Sequence, residues 1–221
     1  AFNMRQVISF DLDGTLIKPD FNYLVWYEMV PKLYAKKQGI EFEEAKRLVK
    51  KEYDRIGEND LRWYRLDYWL EHLKLNKSQE EILEKYMDKI ILYPDVLPSL
   101  NHLKRKYKLV IASGMSEDFI CIKLKKNNLS QFFSHIFSAI SLGLIKKEKS
   151  FYLAMCRSLN VKPAELVHVG DHYEVDYLVP RKIGIEAYFL DRENQRKKEA
   201  GTVNNLEEFT NQMIPGESIS I

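Results

Sequence analysis

The order of apolar and polar positions divides the chain into three parts. Val7–Phe10 (VISF) is apolar at every position, which predicts a short strand buried on both faces, as in a parallel sheet. From about residue 21 to residue 91, apolar residues recur at helical spacing without any strand pattern. After Pro94, strand-like and helix-like segments alternate almost to the end of the chain.

These patterns predict a definite order of elements. The middle part predicts four helices in succession, at 23–37, 42–53, 60–73 and 78–92. The last part predicts strands at 108–113, 135–140, 165–170 and 186–190, with helices at 95–106, 116–127, 148–159, 173–183 and about 205–212.

Alternation of strands and helices is typical of a doubly wound α/β fold, a Rossmann-like parallel sheet with right-handed crossovers. The four-helix run interrupts this pattern after the first strand. We therefore expect an α/β core domain at 1–17 and 93–221 and an inserted α-helical domain at 18–92. In such sheets the ligand lies beyond the carboxyl ends of the strands, where the strand order reverses.

Composition and charge limit the classes of partner. Apolar residues make up 45% of the chain, as in an ordinary globular protein, and 34 basic residues nearly balance 32 acidic ones. This balance argues against nucleic acid or an anionic membrane as partner, and no apolar run reaches the roughly 20 residues that span a bilayer. Cys121 and Cys156 lie in helical patterns as free thiols, so we expect a cytoplasmic protein, by default a monomer, with a homodimer left open.

Polar residues follow three of the predicted strands. They are Asp11 and Asp13 after the first, Ser113 and Gly114 at the second, and Asp171 and Asp176 after a later one. Crowded carboxylates raise each other's pKa and need a cation to offset their repulsion. Oxygen ligands without a histidine and cysteine cluster suit Mg²⁺, so the pattern predicts a magnesium site.

Four segments resemble, in order, the motifs of the haloacid dehalogenase superfamily, and in particular its phosphatases with a helical cap after the first motif. They are DLDGT at 11–15, IASG at 111–114, Lys146, and GDHYEVD at 170–176. The resemblance covers essentially the whole chain, and the helices between the first two motifs correspond to the cap.

The resemblance implies a role for each matching residue. Asp11 would be the nucleophile and Asp13 the general acid and base, with Thr15 orienting Asp13 near the substrate. Asp11, the backbone carbonyl of Asp13 and Asp171 would hold the metal, with Asp176 in support.

The other matching residues would bind the phosphate. Ser113 and the Gly114 amide would hold its oxygens, and Lys146 would neutralise charge on the nucleophile and the transferred group. The family usually has Lys-Pro at the third motif, whereas this chain has Lys-Lys-Glu-Lys, so Lys147 and Lys149 stay open beside Lys146.

Two arginines of the helical insert are further candidates. Arg62 and Arg65 lie among aromatic residues and would bind a second anionic group of the substrate if they face the cleft. A solvated helix face is the alternative reading.

The function expected from these features is Mg²⁺-dependent hydrolysis of a small phosphorylated metabolite. A phosphotransferase or mutase would use the same residues, whereas the 2-haloacid dehalogenase branch lacks the acid two residues after the nucleophile. A receiver-like phospho-acceptor module is the non-enzyme alternative, but it has no cap and is much shorter.

Overall fold

The computed structural model describes residues 5–216, and its core is a twisted parallel sheet. Within this range six strands occur, at Val7–Phe10 (β1), Lys108–Ser113 (β2), His135–Ser138 (β3), Leu166–Gly170 (β4), Glu186–Leu190 (β5) and Thr202–Val203 (β6). Their order is β3-β2-β1-β4-β5-β6, and every pairing is parallel. The strand order reverses between β1 and β4, so the predicted doubly wound α/β fold is confirmed.

Helices cover the sheet and fill the segment after β1. Five α-helices lie between β1 and residue 92, at Asp20–Leu24 (α1), Val30–Gln38 (α2), Phe42–Ile56 (α3), Leu66–His72 (α4) and Gln79–Lys85 (α5). The α-helices that follow are Val96–Leu103 (α6), Glu117–Lys126 (α7), Lys149–Leu159 (α8), Val179–Arg181 (α9) and Leu206–Met213 (α10). A π-helical segment, Val25–Met29, joins α1 to α2.

The helical insert differs from its predicted pattern at several points. The helix predicted at 60–73 is a 3₁₀ turn, Leu61–Tyr64, followed by α4, with Arg65 in an extended conformation between them. Asp60 caps the start of the 3₁₀ turn, because its carboxylate accepts hydrogen bonds from the Arg62 amide at 2.9 Å and from the Arg62 guanidinium. The helix predicted at 78–92 ends early at Lys85, although it starts with the expected capping box at Ser78.

Aromatic packing joins the insert to the sheet domain. The Trp26 ring stacks on the Phe119 ring of α7 at a centroid distance of 5.8 Å, and Phe21 meets Phe119 edge-on at 6.1 Å. Phe21 and Phe119 are fully buried, so α1 lies firmly against α7.

The chain enters and leaves the insert along one narrow path. Ile17 and Leu92 form an antiparallel bridge. The Lys18 amide donates to the Ile91 carbonyl at 2.9 Å, and the Tyr93 amide donates to the Leu16 carbonyl at 3.1 Å. We call these two paired connections the hinge.

The predicted division at 17/18 and 92/93 follows this hinge but stays a prediction, and residues 1–4 and 217–221 of the predicted core domain lie outside the described residues. Between residues 5 and 216, no helix is both long and apolar enough to cross a bilayer.

Candidate active site

The carboxyl ends of β1 and β4 bring three aspartates together. Asp11 follows β1, and its amide donates to the Val169 carbonyl of β4 at 2.9 Å, so the ends of the two strands are level. Carboxylate oxygens of Asp11, Asp171 and Asp176 all lie within 4.8 Å of one another. The expected convergence of these side chains at the sheet edge is therefore present.

The turn after β1 depends on Gly14. This residue has φ +82°, and its amide donates to the Ile17 carbonyl at 2.7 Å to close the turn. A Cβ at this position would lie 2.1 Å from Oδ2 of Asp171. Glycine is needed both for the backbone conformation and for the close approach of the Asp171 carboxylate.

Gly14→Ala is expected to destabilise the protein more than Gly39→Ala does. Gly39 has φ +66° but nothing within 4 Å of an added Cβ, so its substitution measures backbone strain alone, about 1–2 kcal/mol. At Gly14 the same strain is joined by displacement of Asp171. Urea denaturation of both variants would check this, and equal losses would show that Asp171 moves freely.

Thr15 contacts different partners from the one expected. Its hydroxyl lies 3.2 Å from Oδ2 of Asp11 and 3.4 Å from Oδ1 of Asp171, and it is fully buried. The expectation that Thr15 orients Asp13 is therefore wrong for this structure. The hydroxyl instead bridges the two carboxylates that lie side by side, because the tight turn directs it back toward β1.

The lysine that contacts Asp11 is Lys147, and the prediction of Lys146 for this contact is wrong. The Lys147 ammonium lies 2.6 Å from Oδ1 of Asp11, is buried, and also contacts Oδ1 of Asp176. Lys146 is exposed on the cleft wall. The prediction missed by one residue because the chain turns tightly before α8, where the Glu148 amide donates to the Lys146 carbonyl at 3.0 Å, and the side chain directed inward in this turn is that of Lys147.

Burial and charge act against each other at this contact. Burial raises the pKa of the Asp11 carboxyl, while the Lys147 ammonium opposes that shift. Burial also disfavours the ammonium, but the carboxylates of Asp11 and Asp176 outweigh it and raise the pKa of Lys147. Lys147 therefore stays charged between two acidic groups.

Asp176 is held by more partners than the other aspartates. Its Oδ1 accepts from Lys147 and lies 2.9 Å from Nε2 of His168, while Oδ2 accepts from the His172 amide at 3.0 Å. His168 is buried in β4, and its Nδ1 lies 2.7 Å from the Ser9 hydroxyl of β1. Burial opposes ionisation of Asp176, but Lys147 and His168 prevail and lower its pKa. Asp176 is thus an ionised anchor for Lys147.

The aspartate cluster fits a divalent cation. Asp171 is exposed at the cleft. Desolvation of its carboxyl by the surrounding protein and, second, repulsion by the Asp11 carboxylate raise the pKa of Asp171 to about 8. Without a cation, burial and mutual repulsion therefore oppose ionisation of the clustered carboxyls. A set of carboxylate oxygens without thiol or imidazole ligands is one that suits Mg²⁺.

Asp13 lies at the same cleft but is held by a lysine that the sequence analysis did not identify. The Lys123 ammonium of α7 lies 2.6 Å from Oδ1 of Asp13. The Asp13 carboxylate is not part of the three-aspartate cluster among the described residues. Its predicted share in a metal site, through the backbone carbonyl, stays a prediction.

The cleft has a volume of about 600 Å³, and its wall contains the predicted nucleophile, the predicted general acid and the predicted metal ligands. It is lined by Asp11, Asp13, Asn22, Glu58, Tyr64, Ser113, Gly114, Lys146, Lys147, Asp171, His172 and Asp176, among others. An added Cβ on Gly114 would meet nothing within 4 Å, so the side of this residue where a side chain would lie is open. A larger groove of about 740 Å³ between α5 and α7 contains none of the clustered carboxylates, so the chemistry points to the smaller cleft.

The two predicted arginines do not reach this cleft. Among the described residues that line it, neither Arg62 nor Arg65 occurs. Arg62 pairs with Asp60 at 2.7 Å, and Arg65 pairs with Asp67 at 2.5 Å, both on the exposed surface of the insert. The prediction that they bind a second anionic group is wrong for this arrangement, because each finds a carboxylate two residues away.

Comparison with known proteins gives one consistent family. Residues 6–184 match the haloacid dehalogenase-like hydrolases. A GMP/IMP nucleotidase of Escherichia coli is 24% identical over 77% of this chain and 76% of its own length. A glyceraldehyde 3-phosphate phosphatase of Methanocaldococcus jannaschii is 25% identical over 93% of this chain and 96% of its own.

Solved structures agree on the fold. A HAD phosphatase from Thermococcus onnurineus superimposes with a TM-score of 0.81 at 26% identity, covering 97% of this chain and 100% of that one. An L-2-haloacid dehalogenase from Xanthobacter autotrophicus has a TM-score of 0.61 at 17% identity, covers 96% of this chain and 100% of that one, and shares the fold.

Proposed function

Because the chain belongs to the haloacid dehalogenase-like hydrolases and is a hydrolase of phosphate esters, we propose that it is a Mg²⁺-dependent phosphomonoesterase with Asp11 as nucleophile. The observation that carries the proposal is the 2.6 Å contact between the Lys147 ammonium and Asp11 at the cleft. A carboxylate attacks phosphorus as the anion, and the ammonium opposes the protonation that burial favours.

In the first half-reaction, the phosphoryl group is transferred from the substrate to Asp11. One of its carboxylate oxygens forms a bond to phosphorus, and the bond from phosphorus to the ester oxygen breaks. The electron pair of that bond goes to the departing oxygen, which takes a proton from the Asp13 carboxyl. The products are an aspartyl phosphate and a free alcohol.

In the second half-reaction, water releases the phosphate. The Asp13 carboxylate takes a proton from a water molecule, whose oxygen bonds to phosphorus as the bond to the Asp11 oxygen breaks. Inorganic phosphate leaves, Asp11 returns to the carboxylate and Asp13 returns to the acid. The position of Asp13, two residues after Asp11 and lining the same cleft, supports this exchange.

Groups around Asp11 would orient the phosphate. Ser113 and the amide of Gly114 border the cleft beside Asp11 and would donate hydrogen bonds to phosphate oxygens. Lys147 would offset negative charge as the phosphoryl group approaches Asp11. Ser113 is the last residue of β2 and Lys147 is held by Asp176, so these two donors are in place before substrate binds.

Asp11, Asp171 and the backbone carbonyl of Asp13 would hold the Mg²⁺ ion, with Asp176 in support. When bound, the ion supplies positive charge against the phosphate and the clustered carboxylates. The raised pKa of Asp171 and the oxygen-only set of ligands support this assignment.

The substrate would be a small phosphorylated metabolite. The names of the relatives specify GMP and IMP in one case and glyceraldehyde 3-phosphate in the other. In this chain the outer wall of the cleft carries Glu58 and Tyr64 from the insert, near Asn22. A cleft of about 600 Å³ with this polar wall suits a substrate of metabolite size.

Removal of divalent metal is expected to stop phosphate release, because the clustered carboxylates then lack the cation that offsets their repulsion. Phosphate release would be measured over a panel of phosphorylated metabolites with EDTA, and again after Mg²⁺ is added in excess. Full activity in EDTA would contradict the magnesium site. Transfer to an added sugar phosphate in place of water would favour the phosphotransferase alternative, and halide release from a 2-haloacid would favour the dehalogenase.

A further inference from the structure

Lys123 lies in an unusual environment for a lysine. It is on α7, its side chain has no exposure to solvent, and its ammonium is 2.6 Å from Oδ1 of Asp13 and 2.6 Å from Oδ1 of Asn22. The rings of Phe21 and Phe119 have their centroids 5.7 Å from the same nitrogen. The ammonium is therefore enclosed by two aromatic rings and two oxygen acceptors.

A buried ammonium in an aromatic pocket is costly for folding. Desolvation of a charge is offset only by good partners, and an apolar side chain of similar size would often be as stable or more stable. The remainder of this face of α7 is apolar, with Phe119, Ile120 and Leu124 buried beside it. Packing alone does not explain a lysine here, which points to a role in the neighbouring cleft.

The contact with Lys123 makes the two oxygens of Asp13 unequal. An ammonium only donates hydrogen bonds, so Oδ1 is occupied as an acceptor. Oδ2 is buried and has no hydrogen-bond partner within residues 5–216. The contact therefore restricts rotation of the Asp13 carboxyl at the edge of the cleft.

We propose that Lys123 is a positioning residue that, through its contact with Oδ1, holds the Asp13 carboxyl in the orientation from which it protonates the departing ester oxygen. This inference rests on the proposed phosphatase function. Asn22, on the first helix of the insert, holds the ammonium from the other side and so fixes the direction from which it reaches Asp13.

A comparison of two ester substrates distinguishes a role of Lys123 in proton transfer from a role in stability alone. Nitrophenolate leaves readily without a proton, whereas phenol has a pKa of about 10 and its departure depends on protonation. The two aryl phosphates have nearly the same shape and bind alike. The ratio of kcat/KM for p-nitrophenyl phosphate to kcat/KM for phenyl phosphate therefore reports on proton donation before the alcohol is lost.

Lys123→Met is expected to lower kcat/KM for phenyl phosphate by on the order of 10²-fold, and for p-nitrophenyl phosphate by less than about threefold. Lys126→Met, an exposed substitution of the same kind on the same helix, is expected to change neither value. Introducing Lys123→Met into Asp13→Asn is expected to cause no further loss with phenyl phosphate, because the two residues act as one unit.

Equal losses with both esters, or full additivity with Asp13→Asn, would overturn the proposal. If Lys123→Met does not fold by circular dichroism, Asn22→Ala removes one of the two oxygen acceptors and is expected to show the same preference for the nitrophenyl ester, at several-fold. An unchanged ester ratio in Asn22→Ala would then overturn it. Failure of the proposed function itself has a different result, since the unmodified enzyme would release phosphate from neither ester.

Discussion

Replacing Asp11 with asparagine is expected to lower the rate of phosphate release by on the order of 10⁴-fold or more. The amide cannot form the aspartyl phosphate, so both half-reactions are lost together. The fold should persist, because Lys147 keeps its contact with Asp176. Steady-state phosphate release would measure the loss, and mass spectrometry of acid-quenched enzyme would show the phosphorylated protein only in the unmodified form.

An exposed aspartate provides the control for this variant. Asp88 lies on the surface of the insert, paired with Lys89 at 3.5 Å, and Asp88→Asn should leave turnover unchanged. Persistent turnover in Asp11→Asn, with phosphate still attached to the protein, would assign the nucleophile to another residue.

Replacing Lys147 with methionine is expected to affect stability as well as activity. The substitution leaves Asp11 and Asp176 buried without their shared cation, which typically costs about 3–5 kcal/mol in the free energy of unfolding. Loss of a charge aimed at the transferred group should also lower kcat/KM by about 10²–10³-fold. Urea denaturation in EDTA and kinetics with Mg²⁺ would measure the two effects separately.

Lys146→Met is the matched control, since Lys146 precedes Lys147 but is exposed. We expect a change in unfolding free energy within about 0.5 kcal/mol and little change in turnover. If Lys146→Met instead caused the larger losses, the loop would adopt the other register in solution, and the assignment of the buried lysine would be reversed.

The aspartate cluster was predictable because it follows from topology. Parallel strands end at a common edge, so acidic residues after two adjacent strands meet whatever the rest of the chain does. The sequence placed Asp11 directly after β1, and Asp171 and Asp176 after β4, which pairs with β1 in parallel. To predict that these side chains converge, it was therefore enough to assume that β1 and β4 are neighbours in the sheet.

Positions in loops and turns were less predictable, because they depend on single-residue geometry. A tight turn at 146–148, just before α8, buries the side chain of Lys147 and leaves that of Lys146 exposed. Arg62 and Arg65 were assigned from composition, and their orientation was decided by aspartates two residues away that cap or pair locally. Asp60 and Asp67 are visible in the sequence, but the sequence does not show whether each arginine pairs with its neighbouring aspartate or faces the cleft.

Two buried residues were missed because their partners are distant in sequence. Lys123 meets Asp13 from 110 residues away, and His168 meets Ser9 from 159 residues away. A weak signal existed for each: Lys123 falls on the apolar face of α7, and His168 is the polar residue inside the apolar strand Leu166–Gly170. A polar residue at a position that the pattern reserves for the core is a useful warning of a functional contact.

The hinge has a consequence for how such proteins diversify. Because Ile17 pairs with Leu92 and Tyr93 donates to Leu16, the helical insert begins and ends at nearly the same point. A replacement of different length or architecture could be joined there without stretching the sheet or shifting the aspartates at its edge. Side chains that the insert contributes to the cleft wall, such as Glu58 and Tyr64, can thus change while the three clustered aspartates stay in place.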